Sequence, residues 1–320
     1  MLLSSKKSLK TLFLFGIAEI AIIFGQNKDG KMSESVQYFN SLEAAKVLGV
    51  NVSTIKRWTD EGKLECIQSA GGHRKFLMSH LADFLEKNKK KNSKVNLFPI
   101  EDETDLQISQ HILKGDFEYL ITYLQENAFV GNRNRVQQVM NGLYLAQYPL
   151  HQIYDHLITP VLYNVGYLWE AGEIAVAKEH LASQTIRDGI IRLQGIIRIP
   201  KEKIGNVLCL NFSGELHDIA LKMADHVLEA RGFNVLFTGQ ITLLINIEEL
   251  FDFHKPERVY ISSTIVSDPA AVQAEFDQIC RISTNYGSFV YVGGQGFNTL
   301  NIDNPQVKAT LKSFEDVATL

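Results

Sequence analysis

The apolar residues of this chain change their period near Pro200, and no one layer type buries both halves. From about Asp105 to Arg198, the stretches LQISQHILKGD, FEYLITYLQENAF, RNRVQQVMNGLYLAQ, IYDHLITPVLYNVGYLWEAGEI and VAKEHLASQTIRDGIIRL carry apolar residues at helical spacing, with few strand signals. They predict a four- or five-helix bundle over residues 104–198. Beyond Pro200 the short apolar runs NVLCLNF, NVLFTG, RVYISSTI and SFVYVGG alternate with helices through Leu228, near Ile247 and around Ala274. Alternation of that kind calls for a doubly wound parallel sheet over residues 200–320. At 320 residues, 45% apolar and 21% charged, the chain has material for two or three cores.

Charge is distributed as unevenly as period. The formal net charge is -4, yet residues 51 to 94 hold Lys or Arg at 56, 57, 63, 74, 75, 87, 89, 90, 91 and 94, against acids at 60, 61, 65, 83 and 86. That local excess suits a polyanionic partner for one part of the chain only. Within it, YFNSLEAAKVLGVNVSTIKRWTDEGKL spells a short helix with Ser41 as its cap and Glu43 in its first turn, a stop at Gly49, and a second helix capped by Asn51 and ended by Gly62. Leu42, Ala45, Val47, Leu48, Ile55 and Trp58 form a small core between them. Ser53, Thr54, Lys56 and Arg57 are left on the solvent side, where short hydroxyls and long cations can approach base edges and phosphates. LECIQSAGGHRKF then reads as a hairpin with Gly71-Gly72 at its tip, followed at once by His73, Arg74 and Lys75. Residues 37–86 resemble the winged helix-turn-helix of the MerR and excisionase-like regulators, in which G-G-H-R before an aromatic closes the wing. The resemblance implies a domain for double-stranded operator DNA, contacted through Ser53, Thr54, Lys56, Arg57, His73, Arg74 and Lys75.

EKNKKKNSKVN has little to bury and is expected to form a basic linker over residues 87–103. In the first 36 residues, Lys6, Lys7 and Lys10 precede TLFLFGIAEIAIIFG, which has the outline of a secretory signal. The run is short for a membrane span and is interrupted by Glu19. Export would part a DNA-binding domain from its DNA, so the expectation is a start at Met32, no membrane association and a cytoplasmic location. Cys66, Cys209 and Cys280 are odd in number and lack zinc-type spacing, which argues against a disulfide framework or a structural zinc.

Ligands of doubly wound sheets sit at the carboxyl ends of the strands, and the first such loop reads Ser213-Gly214-Glu215-Leu216-His217-Asp218. A neutral imidazole is a good metal ligand, and a carboxylate two residues earlier can accept its other N–H, fixing the tautomer. Glu215-x-His217-x-x-Ala220, Ser262-x-Thr264 and Gly293-Gly294, each ending a predicted strand, resemble the cobalamin-binding signature of acid-x-His-x-x-Gly, Ser-x-Leu or Ser-x-Thr, and Gly-Gly. The resemblance implies a Rossmann-like (flavodoxin-like) sheet in which His217 is the lower axial ligand of the cobalt. It also implies that the displaced nucleotide tail runs beside Ser262, Thr264, Gly293 and Gly294, and Glu215 and Asp218 are counted with the cofactor-binding residues. Ala220 stands where the family has glycine, which adds one methyl near the tail.

In the bundle, WEAGEIAVAKEH sets Trp169 ahead of the adjacent pair Glu179-His180 in a segment that reads as helical. Taken singly, Trp169 suits plain core and His180 a helix surface. Together with the downstream motifs they resemble the upper-ligand pocket of the CarH-type and LitR-type light-responsive MerR regulators. There the tryptophan covers the upper ligand of the corrin, and the Glu-His pair holds the 5′-deoxyadenosyl group. The resemblance implies a non-enzymatic regulator, a repressor by analogy, that binds adenosylcobalamin and operator DNA as a homo-oligomer, dimer or tetramer, and responds to light. Where sensors of this type carry a histidine directly after the tryptophan, this chain has Glu170. The lit state is therefore expected to leave water on cobalt, to recruit His151, His156 or His180, or to release cobalamin. Two other readings share parts of the pattern, a corrinoid-carrying methyltransferase subunit and a cofactor-free regulator controlled by a protein partner.

Overall fold

The computed structural model describes residues 38–84, save positions 49, 70, 78, 79 and 82, together with residues 103–320. The leader, the linker up to residue 102 and the Gly49 stop lie outside the described residues. Among the described residues no helix is long and apolar enough to cross a membrane. The three cysteines are free thiols, with Cys209 and Cys280 buried.

The N-terminal domain builds β1 (Phe39–Asn40), α1 (Ser41–Val47), α2 (Val52–Asp60), β2 (Ile67–Gln68) and β3 (Arg74–Phe76), its strands forming an antiparallel sheet in the order β1-β3-β2. The cap of α1 is Asn40 rather than Ser41. Asn40 Oδ1 accepts from the N–H groups of Leu42 and Glu43 at 2.8 and 3.0 Å, and Glu43 Oε2 accepts from the Asn40 N–H at 2.7 Å. This reciprocal box sits one residue early because β1, too short to leave an apolar pattern, runs straight into the helix. Asn51 occupies the cap position of α2 but its side chain makes no capping bond. Ala44, Ala45, Leu48, Ile55, Leu64 and Phe76 are buried, whereas Leu42, expected in this core, is 56% exposed. Trp58 packs on Phe84, with ring centroids 4.5 Å apart.

The bundle consists of α3 (Glu103–Lys114), α4 (Phe117–Phe129), α5 (Arg133–Leu145), a rod made of α6 (Leu150–Ile153), a π-helical turn (Tyr154–Ile158) and α7 (Thr159–Glu170), and α8 (Val176–Leu193). Asp116 and Asn132 cap α4 and α5 by accepting from the N–H groups of Tyr119 and Arg135. Leu120, Leu124, Val136, Met140, Ile186 and Ile190 are buried in its core. The expectation of a helical run from Trp169 to His180 fails. Residues 171–175 form a turn that bends back at Gly172, whose φ of +73° is open to glycine at little cost. Trp169 therefore ends one helix, and Glu179 lies in the first turn of the next.

The C-terminal half is a parallel sheet of β4 (Asn206–Asn211), β5 (Asn234–Phe237), β6 (Arg258–Ser262), β7 (Phe289–Gly293) and β8 (Val307–Leu311), ordered β5-β4-β6-β7-β8. The first four were expected. β8 was not, because VKATL at the sheet edge is only half buried and carries no continuous apolar run. Alternate strand residues serve two cores. Val207, Cys209, Tyr260 and Tyr291 join α9 (Ile219–Arg231), α12 (Phe314–Thr319) and the bundle. Leu208, Leu210, Val259, Ile261, Val290 and Val292 pack with α10 (Glu248–His254) and α11 (Pro269–Tyr286) on the opposite face. The strand order reverses at β4, which makes the carboxyl ends of β4 and β6 the switch point where such folds take ligands.

Candidate functional site

Strand register brings the three C-terminal motifs side by side. Asn211 pairs with Ser262 and Ser262 with Gly293, so one row of the ladder carries the ends of β4, β6 and β7. From the first of these ends the chain turns into the loop that bears Glu215 and His217. Glu215 is buried at 2% exposure, and its Oε1 takes both the His217 backbone N–H at 2.9 Å and the imidazole Nδ1 at 2.6 Å. Its Oε2 accepts from the N–H groups of Thr264 and Ile265 at 2.6 and 3.3 Å. One carboxylate thus fastens the loop that carries His217 to the loop after β6.

The electrostatics follow from these contacts. The hydrogen bond that His217 donates to Glu215 is the main force raising the His217 pKa above the ordinary imidazole value; burial opposes it, and the charges of Glu215, Glu179 and Asp218 add to it. Burial works to raise the Glu215 pKa in turn, but the hydrogen bonds from His217 and Thr264 outweigh it and hold the carboxyl below its usual range. With Nδ1 tied to a carboxylate, the neutral ring carries its proton there and presents the Nε2 lone pair, on a side chain that is 52% exposed.

The glycines and the serine between the motif positions shape the rest. Gly294 has φ +96°, and a Cβ there would meet the Ser263 carbonyl oxygen at 2.2 Å, so no larger residue fits against that loop. A Cβ on Gly296 would strike the Ser263 side chain in the same way. Ser262 is buried, and Thr264 enters the site through its backbone N–H rather than its hydroxyl. The buried Ser263 Oγ and Asn211 Oδ1 have no hydrogen-bond partner. Ala220, in the first turn of α9, is exposed. Asp218 departs from its expected role, since both its oxygens are held by Arg187 of α8, with Nε to Oδ1 at 3.0 Å and Nη2 to Oδ2 at 2.6 Å. Sequence reasoning missed Arg187, Asn211 and Ser263; the signal for Ser263 was its place between Ser262 and Thr264, and that for Asn211 its place at the end of the predicted strand NVLCLNF.

On the bundle side, Glu179 bonds both His180 Nδ1 and, at 2.7 Å, the Ser183 hydroxyl. His180 is largely exposed and Trp169 is 48% exposed. Of the other histidines considered for cobalt, His151 lines a cavity of about 370 Å³ with Val227 and Ala230. Those residues lie at the far end of α9, roughly 15 Å along the axis from Asp218 at the helix rise of ~1.5 Å per residue. His156 packs edge-on against Phe117.

In the N-terminal domain Ser53, Lys56, Arg57, His73 and Lys75 are exposed and Thr54 is half buried. Ser69 and His73 close the hairpin, with the Ser69 N–H donating to the His73 carbonyl at 3.0 Å and Gly72 at φ +74°. Arg74 differs from its neighbours, because Nη2 is paired with Asp60 at the end of α2. It braces the wing against the helix instead of standing free for a phosphate.

Residues 38–89 match the helix-turn-helix domain family, and residues 107–194 match the B12 binding domain family. The chain joins a helix-turn-helix domain to a B12 binding domain. It is similar to the HTH-type transcriptional repressor CarH of Myxococcus xanthus, 33% identical over 106 residues, which are 33% of this chain and 34% of that protein. The match thus spans about a third of the relative's length. Among solved structures, the monomethylamine corrinoid protein of Methanosarcina barkeri aligns with a TM-score of 0.53 over 63% of this chain and 96% of that one, at 17% identity, a likeness of fold. The B12 binding domain match falls on the bundle, so the bundle is legible as such independently of the His217 loop.

Proposed function

We propose that this chain is a DNA-binding transcriptional regulator, a repressor, that senses adenosylcobalamin at His217 and, through it, light. The reading is carried by the imidazole of His217, oriented through Nδ1 by the buried Glu215 and presenting Nε2 at the switch point of the sheet. Among the described residues no cluster of three His, Cys, Asp or Glu could hold a bare ion. A single imidazole suits a metal that brings its own equatorial donors. The orphaned Asn211 Oδ1 and Ser263 Oγ, with the bare backbone at Gly293 and Gly294, fit a polar tail entering beside Ser262 and Thr264.

When bound, the adenosyl corrinoid supplies a light-labile cobalt–carbon bond. Trp169 would cover the group from the bundle side, and Glu179 with His180 would offer acceptors and a donor to ribose hydroxyls. Loss of the upper group would let the bundle shift and would take apart a dimer or tetramer whose helix-turn-helix domains bind DNA together. Pairing two weak domains raises affinity by roughly 10²- to 10⁴-fold, so a modest change in assembly becomes a large change in occupancy. With Glu170 after Trp169, no histidine directly following the tryptophan would be available to the cobalt after illumination. The protein acts by binding, not by turnover, in the cytoplasm.

The test is size and operator binding of the full chain purified with adenosylcobalamin in darkness, before and after illumination, for wild type and His217→Ala. The expected result is a coloured DNA-binding oligomer that changes size on illumination, with pigment affinity lost at least about 100-fold in the variant. Full affinity and switching in His217→Ala overturn the ligand assignment. A colourless DNA binder supports the cofactor-free regulator, and a coloured protein that ignores DNA supports the methyl carrier, to which the corrinoid-protein fold lends a specific likeness.

A further inference from the structure

The bundle reaches the ligand loop one residue from His217. Glu179, Ser183 and Arg187 follow each other at intervals of four on α8 and so share one face of that helix. Glu179 is bonded to Ser183 on this face, and its charge is felt at the His217 ring. Two turns further on, Arg187 makes its bidentate pair with Asp218, which is 1% exposed.

Asp218 stands at the N-cap position of α9, where an aspartate ordinarily accepts from the first free N–H groups, yet its side chain makes no capping bond. A local helix signal has been overruled by a partner 31 residues away on another layer. The loop's other polar fastenings come from the sheet half: Glu215 to Thr264 and Ile265, the Ser213 N–H to Glu275 at 2.9 Å, and Asn211 to the His217 carbonyl at 3.4 Å. Arg187 comes from the bundle. A second tie lies at the π turn, where Tyr154 Oη is 2.8 Å from His226 Nδ1 on α9, and Asp155 accepts from the N–H groups of Phe314 and Glu315 that open α12. A third tie runs from Gln194 Nε2, just after α8, to Glu229 Oε2 on α9 at 2.8 Å, and among the described residues only the Arg187 pair of these three touches the loop that carries His217.

We propose that Arg187 is a positioning residue which, through Asp218, sets the register of the bundle on the His217 loop, so that Glu179 and His217 address opposite sides of one ligand. The proposal rests on the cobalamin reading for what that ligand is, but not for the pair itself. Removing the guanidinium strands a buried carboxylate beside the ligand and frees the loop from the bundle while the π-turn tie still holds.

The test uses the full chain as wild type, Arg187→Gln, Asp218→Asn, the exchanged pair R187D/D218R, and Asp155→Asn as a control at the distant tie. Hydrogen exchange of residues 213–218 is followed without cofactor, and absorption spectra are taken with adenosylcobalamin to saturation in darkness. Arg187→Gln is expected to speed exchange in the loop about tenfold. Cobalamin affinity should fall about 10- to 100-fold, with part of the histidine-ligated spectrum lost even at saturation. The exchanged pair recovers part of each, and Asp155→Asn moves neither. If Arg187→Gln and Asp218→Asn lower the melting temperature but leave loop exchange and the saturated spectrum as in wild type, the pair is structural only and the proposal falls. A wild type without histidine-ligated cobalamin overturns the cobalamin reading instead, and the exchange rates still decide whether Arg187 holds the loop.

Discussion

In the helix-turn-helix domain Ser53, Lys56, Arg57, His73 and Lys75 stand exposed on α2 and the wing, whereas in the loop after β4 the carboxylates of Glu215 and Asp218 are 2% and 1% exposed and fully engaged. The difference matches what each surface would touch. A duplex presents a dense row of phosphates, and long solvated cations find them with little need for fixed geometry. A metal ligand must sit in one place with one nitrogen free, and a buried neighbour that is itself held by several hydrogen bonds supplies that constraint. Arg74 is the exception in the wing, since it is fixed by Asp60 much as His217 is by Glu215.

The strongest way to break this contrast is Glu215→Gln, which keeps the shape but removes the charge and one of the two acceptor oxygens that serve His217 and Thr264. Titration with adenosylcobalamin should show affinity down by about 10- to 100-fold. An unchanged affinity would mean that backbone geometry alone places the imidazole.

Acid and base sharpen the same contrast through two histidines. His226 is buried and its pKa is pushed down to about 3, chiefly by burial, so it folds as the neutral form. The stability it confers is present above the unfolded value of 6.5 and is lost as pH falls from there toward 3, at about 1 kcal/mol per pH unit while other groups stay fixed. His217 has the opposite sign. Its raised pKa adds stability that is complete below 6.5 and disappears as pH rises through the folded value. Urea unfolding of cofactor-free protein should therefore show stability falling on both sides of about pH 6.5. His226→Gln should flatten the acid side between pH 6.5 and about 5, and His217→Gln the alkaline side. A profile unchanged in either variant refutes the corresponding assignment.

The smallest expected effect lies on the exposed surface. Lys56→Ala should weaken binding to all DNA sequences alike and lower the slope of log affinity against log salt by about 1. Arg74→Ala should instead raise wing mobility, read by hydrogen exchange at residues 71–76, with a smaller change in salt slope than Lys56→Ala. Equal slope changes would place Arg74 among the phosphate contacts after all.

Much of this molecule was written locally. The helical period before Pro200, the alternation after it, the hairpin tip at Gly71-Gly72 and the Glu215-x-His217 loop are each decided by residues within a few positions of one another, where helix, strand and turn preferences act. Short elements escaped for the same reason. β1 has two residues, and half-buried β8 has no apolar run to announce it. The break at Gly172 was misread because helical spacing continues on both sides of it. What the sequence by itself determined was the set of layers and the ring nitrogen that could meet a metal. Tertiary structure alone decided that Asp218 would serve Arg187 rather than cap its own helix, that Arg74 would brace the wing, and that Ser263 would press against Gly294. Each of those joins residues 14 to 31 positions apart, across elements whose packing no local period encodes.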